Sequence, residues 1–325
     1  TVSYNISAIC TLFKAFGSDF GISDVPGFLE TGYYPFRMSG NAGMYAYHDA
    51  PRVLVMSGSA EVFKIAKLAN DPSLSALQKQ TMNKNGTLGT IRSLIWYDPD
   101  FVTDAKEQPK DNLYTSAQVA TLRSDWGSNA VWLGIHAGKN DVGHGHVDLG
   151  SFEYEANGVR FANEMGKDDY NLPGYFDVVN RNLYVTRAEG HNVYVINPDS
   201  GAGQEIRAGS VIEKVQSKPR GCIYKIDMTP AYVKQVSSAE RGFMLSHERR
   251  VFTVQDEIVP KGNDEYYWFW HTVADIEINP DGKSVTLTNS GRKCTLYFEC
   301  STDFKIEKGY SLPLPTSPKV DAQLG

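Results

Sequence analysis

The sequence predicts an α+β protein: a helical segment over residues 1–112, then a large antiparallel β-sandwich over residues 113–325. Two observations carry this reading. Up to DAKEQPKDN (104–112), a polar stretch containing Pro109, apolar residues recur at helical spacing. Beyond it they recur at every second position, in short runs separated by turn residues.

The helical elements come first. In YNISAICTLFKAFGSDFG, Ile6, Ile9, Cys10 and Phe13 share one face and Gly17 is a stop signal. DVPGF (24–28) is a loop. SAEVFKIAKLAN (59–70) is amphipathic, with Ser59 as its expected N-cap and Glu61 in the first turn, where the helix dipole favours an acid. DPSLSALQKQTMN (71–83) and GTIRSLIWYD (89–98) are two more helices. Between them and the first lies an irregular aromatic stretch, TGYYPFRMSGNAGMYAYHD (31–49). The expected strands are VWLGI, SFEYEA, VRFANE, HNVYVIN (191–197), GCIYKID (221–227), ERRVFTVQDEIV (248–259), YYWFWHTV (266–273), SVTLTN (284–289) and CTLYFEC (294–300). Turn signals at Asn157-Gly158, Pro280-Asp281-Gly282 and Asn289-Ser290-Gly291 separate them. Many short, evenly spaced strands argue for a sandwich.

Composition narrows the function classes. The 325 residues are 41% hydrophobic and 22% charged, as in globular chains. A net charge of −6 argues against broad nucleic-acid binding. No apolar run is long enough to span a membrane, and no signal peptide is visible. The first residue is Thr rather than Met, from which removal of an upstream segment is expected. Cys10, Cys222, Cys294 and Cys300 form no CxxC pair or dense framework and are expected to be buried thiols.

The densest chemistry lies in GHGHVDLGSF (143–152). Read as a strand, it puts His144, His146 and Asp148 on one face, with Gly143, Gly145 and Gly150 leaving space beside them. A polar outer sheet face would look the same. His191, opening the HNVYVIN strand, and Glu164 in FANEMG complete a candidate set with His146: two imidazoles and a carboxylate, a common zinc donor set. The competing reading is a satisfied polar core. His48, His136 and His247 show no partners in the sequence and are expected to be structural or superficial. His271, on an aromatic strand, is expected in the core.

GHGHVDLGSF, FANEMGKDDYNLPGYF (161–176) and TRAEGHNVYVINP (186–198), in that order, resemble the C-terminal sandwich of the heparinase II/III-like polysaccharide lyases. SYN (3–5) and SDFGISDVPGFLETGYYPF (18–36) resemble the last α/α-toroid helices and linker of the same family. The resemblance implies that the helical segment is the end of such a toroid. It also implies a structural zinc held by His146, His191 and, where the family has Asp, Glu164; Asp148 is a conceivable substitute. His144 matches the histidine that faces the cleft beside the metal. Tyr4 matches the toroid tyrosine. Tyr175, with Tyr170 as its rival, matches the tyrosine of the sandwich loop.

Such lyases cleave uronic-acid-containing polysaccharides by β-elimination. A base takes the C5 proton, an acid protonates the departing O4, and the neighbouring carboxylate is neutralised by donors and cations. A tyrosine suits the acid or base role only if cationic neighbours lower its pKa. Arg123, Arg181 and Arg187 are candidate partners for the substrate's anionic groups, with solvated surface as the alternative. The resemblance further implies export to the periplasm or outside the cell. The family's uronate-neutralising residues lie upstream of the Tyr4 segment, so weak or no activity of this chain alone is expected, with an N-terminal toroid segment as a possible companion. A non-catalytic carbohydrate-binding sandwich with a structural metal is the main alternative. A hydrolase or oxygenase using the histidines at an open metal is a third.

Overall fold

The computed structural model describes residues 2–53, 59–177 and 181–321. The chain folds as two units: Thr1–Ser39 with Val55–Pro109, and Gly40–Leu54 with Lys110–Gly325. The boundary expected after residue 112 falls at 109/110. Residues 40–54, read from sequence as part of the helical segment, belong with the sheets.

The helices are α1 (Val2–Phe16), α2 (Tyr34–Arg37), α3 (Ala60–Leu68), α4 (Pro72–Lys84) and α5 (Ile91–Trp96). Ile6 and Ile9 of α1 pack with Val62, Ile65, Ala66 and Leu74 in a small core, and Gly17 ends α1 at φ +73°. Asp71 caps α4 by accepting the Ser73 N–H, and Thr90 and Ser93 form a reciprocal capping box on α5. Ser59 precedes α3, but its hydroxyl turns to Glu61 instead of capping. Among the described residues no helix is long and apolar enough to cross a membrane.

The strands are β1 (Asp111–Tyr114), β2 (Val119–Arg123), β3 (Val131–His136), β4 (Gly138–Lys139), β5 (Phe152–Ala156), β6 (Val159–Ala162), β7 (Tyr194–Ile196), β8 (Gly209–Ser210), β9 (Ile212–Lys218), β10 (Gly221–Asp227), β11 (Val236–Ser246), β12 (Val251–Pro260), β13 (Tyr266–Trp268), β14 (Asp275–Ile278), β15 (Ser284–Asn289) and β16 (Arg292–Tyr297). Every pairing is antiparallel. A five-stranded sheet, β1-β2-β3-β5-β6, and a four-stranded sheet, β12-β11-β10-β9, are the largest. Leu133, Ile135, Phe152 and Phe161 of the first share one core with Tyr224, Ile226, Phe243 and Leu245 of the second. Asn157 and Gly158, both at positive φ, make the two-residue turn between β5 and β6, as the sequence predicts.

The outer face of the five-stranded sheet is covered as well, by residues 40–53. In β5, Phe152 and Tyr154 point into the core, so Glu153 and Glu155 point the other way. Both carboxylates are fully buried. Glu155 accepts the Asn41 N–H (2.5 Å) and the Ala42 N–H (2.9 Å), Glu153 accepts the Ala46 N–H (3.3 Å), and Arg160 pairs with both acids. Tyr45 lies flat over Gly134, where a Cβ would come within 2.7 Å of its ring, and donates its hydroxyl to the Ser151 carbonyl (3.1 Å). These contacts bring His48 to the end of β3, beside His136, with Asp49 next to it.

Two expectations are corrected here. The segment GHGHVDLGSF is not a strand: it is a loop between β4 and β5, with His144 at φ +62°. The loop is fixed from outside. Asn140 accepts the Asp148 N–H, Thr186 accepts the Val147 N–H, and the buried Arg241 guanidinium donates to the Gly150 carbonyl. The cysteines are all free, yet only Cys222 is buried outright; Cys10 and Cys294 are half-buried and Cys300 is exposed.

Candidate active site and metal centre

Asp49 is the hub of the site. Its side chain is 7% exposed, and it accepts four side-chain hydrogen bonds. Oδ1 takes the Tyr175 hydroxyl (2.7 Å) and His146 Nε2 (3.1 Å); Oδ2 takes His144 Nδ1 (2.8 Å) and the Tyr170 hydroxyl (3.0 Å). Burial would raise the Asp49 pKa, but the bonds from His146, Tyr175 and His144 outweigh it and hold the carboxyl below its ordinary range. The two oxygens face different surroundings. Tyr175 and His146 are buried, whereas the His144 side chain is 61% exposed and Tyr170 is half-buried.

Around His144 and Tyr170 the surface is aromatic and basic. Phe176 is exposed and its ring lies 5.1 Å from that of Tyr170 and 6.2 Å from that of His144. Lys167 Nζ sits 3.8 Å over the Tyr170 ring. Arg181, half-buried, donates to the Val142 carbonyl and interacts with Asp148, Asp49 and Tyr175.

Behind Asp49 lies a buried cluster of imidazoles. His146, Asp148 and His191 each bring a donor atom to within 4.8 Å of the other two. Both imidazoles are held by a carboxylate on one nitrogen: His146 Nε2 by Asp49, and His191 Nδ1 by Glu164 at 2.5 Å. Each therefore presents its lone pair on the other nitrogen. Those atoms, His146 Nδ1 and His191 Nε2, are buried and lack a hydrogen-bond partner, as does Asp148 Oδ2. Two bare imidazole nitrogens and a carboxylate oxygen converging in a dry site fit a zinc ion's donor preferences. His191 is fixed from behind by Asn192, whose amide donates to the carbonyls of Phe152 and Asn163.

The sequence-predicted residues therefore fall into three groups. His144, His146, Tyr170, Tyr175 and His191 come together around Asp49 and Asp148. Glu164 reaches the site differently from expected: one oxygen meets His191 Nδ1 and the other takes the Ser151 hydroxyl, so the carboxylate gathered with the imidazoles is Asp148. Arg123 and Arg187 are corrected outright. Arg187 is fully buried, clamped by Glu189 (2.9 Å twice) and Thr316; Arg123 is buried against the Trp126 ring. Neither is available to a solvent-borne substrate. Tyr4 lies on α1 in the helical unit, 83% exposed.

Sequence reasoning missed Asp49, His48 and His136. His136 Nδ1 lies 3.3 Å from Asp148 Oδ1, and the His48 and His136 rings are 4.3 Å apart, so both belong to the site rather than to a generic core. The only sequence signal was the His48-Asp49 pair ending the tyrosine-rich stretch. The tyrosines also differ from expectation. Burial and the Asp49 carboxylate push Tyr170 up to about 12 and Tyr175 higher still, so both stay protonated at neutral pH.

Residues 111–324 match the family described as heparinase II/III-like, C-terminal. Among solved structures, the chain is similar to the heparan sulfate lyase HepC of Pedobacter heparinus, with a TM-score of 0.67 and 15% identity over 93% of this chain and 45% of that one. It is also similar to a heparinase III gene product, with a TM-score of 0.60 and 17% identity over 87% of this chain and 41% of that one. The chain thus spans less than half the length of either, and at these identities the likeness is one of fold. A search of curated proteins finds no match.

Proposed function

The chain belongs to the heparinase II/III-like family through its C-terminal domain, and from that premise we propose that it is the sandwich-bearing part of a polysaccharide lyase acting on a uronic-acid-containing polymer by β-elimination. The observation that carries the proposal is the pairing of an exposed imidazole with a tyrosine hydroxyl on one buried carboxylate: His144 and Tyr170 on Asp49 Oδ2. In the reaction a base takes the proton from C5, the C4–O4 bond breaks as the C4–C5 double bond forms, and O4 receives a proton. Asp49 keeps His144 Nδ1 as a donor, so Nε2 holds the lone pair that accepts the C5 proton. Tyr170, held protonated, supplies the proton to O4. Lys167, over the Tyr170 ring, and Arg181, which interacts with Asp49 and Tyr175, offset the uronate charge. Tyr175, buried and donating to Asp49, positions the carboxylate. Tyr4, on the helical unit, is a candidate through the resemblance alone. A zinc held by His146, His191 and Asp148, with Glu164 orienting His191, would fix the loop that carries His144; its contribution is structural. A polymer substrate places the protein in the periplasm or outside the cell.

The test is near-ultraviolet absorbance of the new C4–C5 double bond during incubation with heparan sulfate, chondroitin sulfate and alginate in parallel, with His144→Ala and Tyr170→Phe as variants. Growth of the absorbance in the wild type, lost in both variants, supports the reading. New reducing ends without the absorbance identify a hydrolase and overturn it. The exposed Phe176 favours the second reading, a non-catalytic carbohydrate-binding surface. Polymer binding lost in Phe176→Ala, with no product from any polymer, selects that reading.

A further inference from the structure

Asp148 has imidazoles on two sides. On one side are His146 and His191; on the other are His48 and His136, which with Asp148 also bring one donor atom each to within 4.8 Å of one another. His48 Nε2 is buried without a hydrogen-bond partner and lies 4.0 Å from Asp148 Oδ1; His136 Nδ1 lies 3.3 Å from the same oxygen. Among the described residues no arginine or lysine lies within ion-pair distance of Asp148; Arg181 interacts with it from farther off. A fully buried carboxylate whose ion-pair partners are all imidazoles is favoured by a further positive charge close by, either a proton on a ring or a metal.

We propose that Asp148 bridges two divalent-cation sites: the His146–His191 site above, and a second formed by His48, His136 and Asp148. Imidazole and carboxylate donors suit zinc or cobalt(II). A carboxylate shared between the two donor sets would join them into a two-metal centre. The second site also has a path for exchange with solvent, because the His48 side chain is 19% exposed while the other three imidazoles are sealed or nearly so. His136 is oriented for the role by Tyr47, whose ring stacks on it at 5.3 Å and 21°. Residues 40–53 thus contribute to both sites, through Asp49 behind His146 and through His48 itself.

The proposal uses Asp148 as a ligand of the first site, and its test separates the two. The whole chain is stripped with a chelator and titrated with ZnCl2 by calorimetry and with CoCl2 by visible absorption, beside His48→Gln, His136→Gln and His191→Ala. Circular dichroism checks the fold of each variant. Two equivalents in the wild type, falling to one in His48→Gln and in His136→Gln, is the expected result. His48→Gln carries the test if His136→Gln does not fold. One equivalent in the wild type, kept in His48→Gln and lost in His191→Ala, overturns the second site and leaves the first. Two equivalents unchanged by His48→Gln place the second ion elsewhere and overturn the proposal. No binding by the folded wild type overturns both sites.

Discussion

Replacing Asp49 tests whether one carboxylate holds the site together. Asp49→Ala removes the acceptor for four donors. His144 and Tyr170 can turn to water, so they contribute little to the loss. Tyr175 and His146 cannot, and each buried donor left unpaired costs about 1–3 kcal/mol. The expected destabilisation is therefore about 4 kcal/mol. Asp49→Asn is different in kind. Its carbonyl oxygen still serves the buried pair, and its amide turns to the exposed pair. What is lost is the charge on two buried bonds, roughly halving their strength, for about 2 kcal/mol in all. For a unit of this size each kcal/mol moves the Tm by about 2–4 °C. Asp49→Ala should thus melt about 8–16 °C below the wild type and Asp49→Asn about 4–8 °C below. Thermal unfolding followed by far-ultraviolet circular dichroism, in chelator so that metal loss is not measured instead, reads both. Equal losses in the two variants, or a loss in Asp49→Ala of less than about 1 kcal/mol, would refute the assignment of Asp49 as the buried hub.

Further outcomes follow from other parts of the sandwich. Gly134→Ala puts a Cβ within 2.9 Å of both Tyr45 and Trp132, so overpacking should cost about 1–3 kcal/mol and expose residues 40–53 to proteolysis, read by limited digestion. Burial, against the pull of Arg160, pushes the Glu153 carboxyl up to about 7 from an ordinary 4.5. A raised acid stabilises the fold fully below pH 4.5 and loses that contribution as pH rises to 7, by about 3 kcal/mol, so in urea unfolding the stability of the wild type relative to Glu153→Gln should fall by about that amount across this window. Cys300 should react first with a thiol reagent in the native protein and Cys222, whose pKa burial pushes up to about 12, only on unfolding; a fast phase surviving in Cys300→Ser would contradict this.

The sandwich was legible where alternation was local. Phe152 and Tyr154 against Glu153 and Glu155 is a period-two pattern that any register of β5 would respect. The same grammar misled at GHGHVDLGSF, because alternating His and Asp satisfies the strand template while the glycines and the left-handed His144 permit a loop. Asp49 was illegible because its partners lie 95 to 126 residues away, beyond any local pattern. Arg187 illustrates the opposite failure. Its neighbourhood to the motif suggested a substrate contact, but its acid, Glu189, is two residues on and closes the pair inside the protein. His146, His191 and Glu164 were legible as a donor set from their residue types and singled out by the resemblance; that Asp148 rather than Glu164 gathers with the imidazoles was not legible.

The interleaving of residues 40–53 with the sheets has a consequence for how the protein is made. Asn41 leaves the ribosome 114 residues before Glu155, the group that holds it. At about 5–20 residues per second, that segment waits roughly 6–23 s with its tyrosines unprotected. The helical unit is complete by residue 109, but residues 40–53 inside it belong to a unit whose sheets are made later. The early segment must be kept free until β5 arrives, and a nascent chain stalled before residue 155 would present Tyr45 and Tyr47 to chaperones rather than to Gly134 and His136.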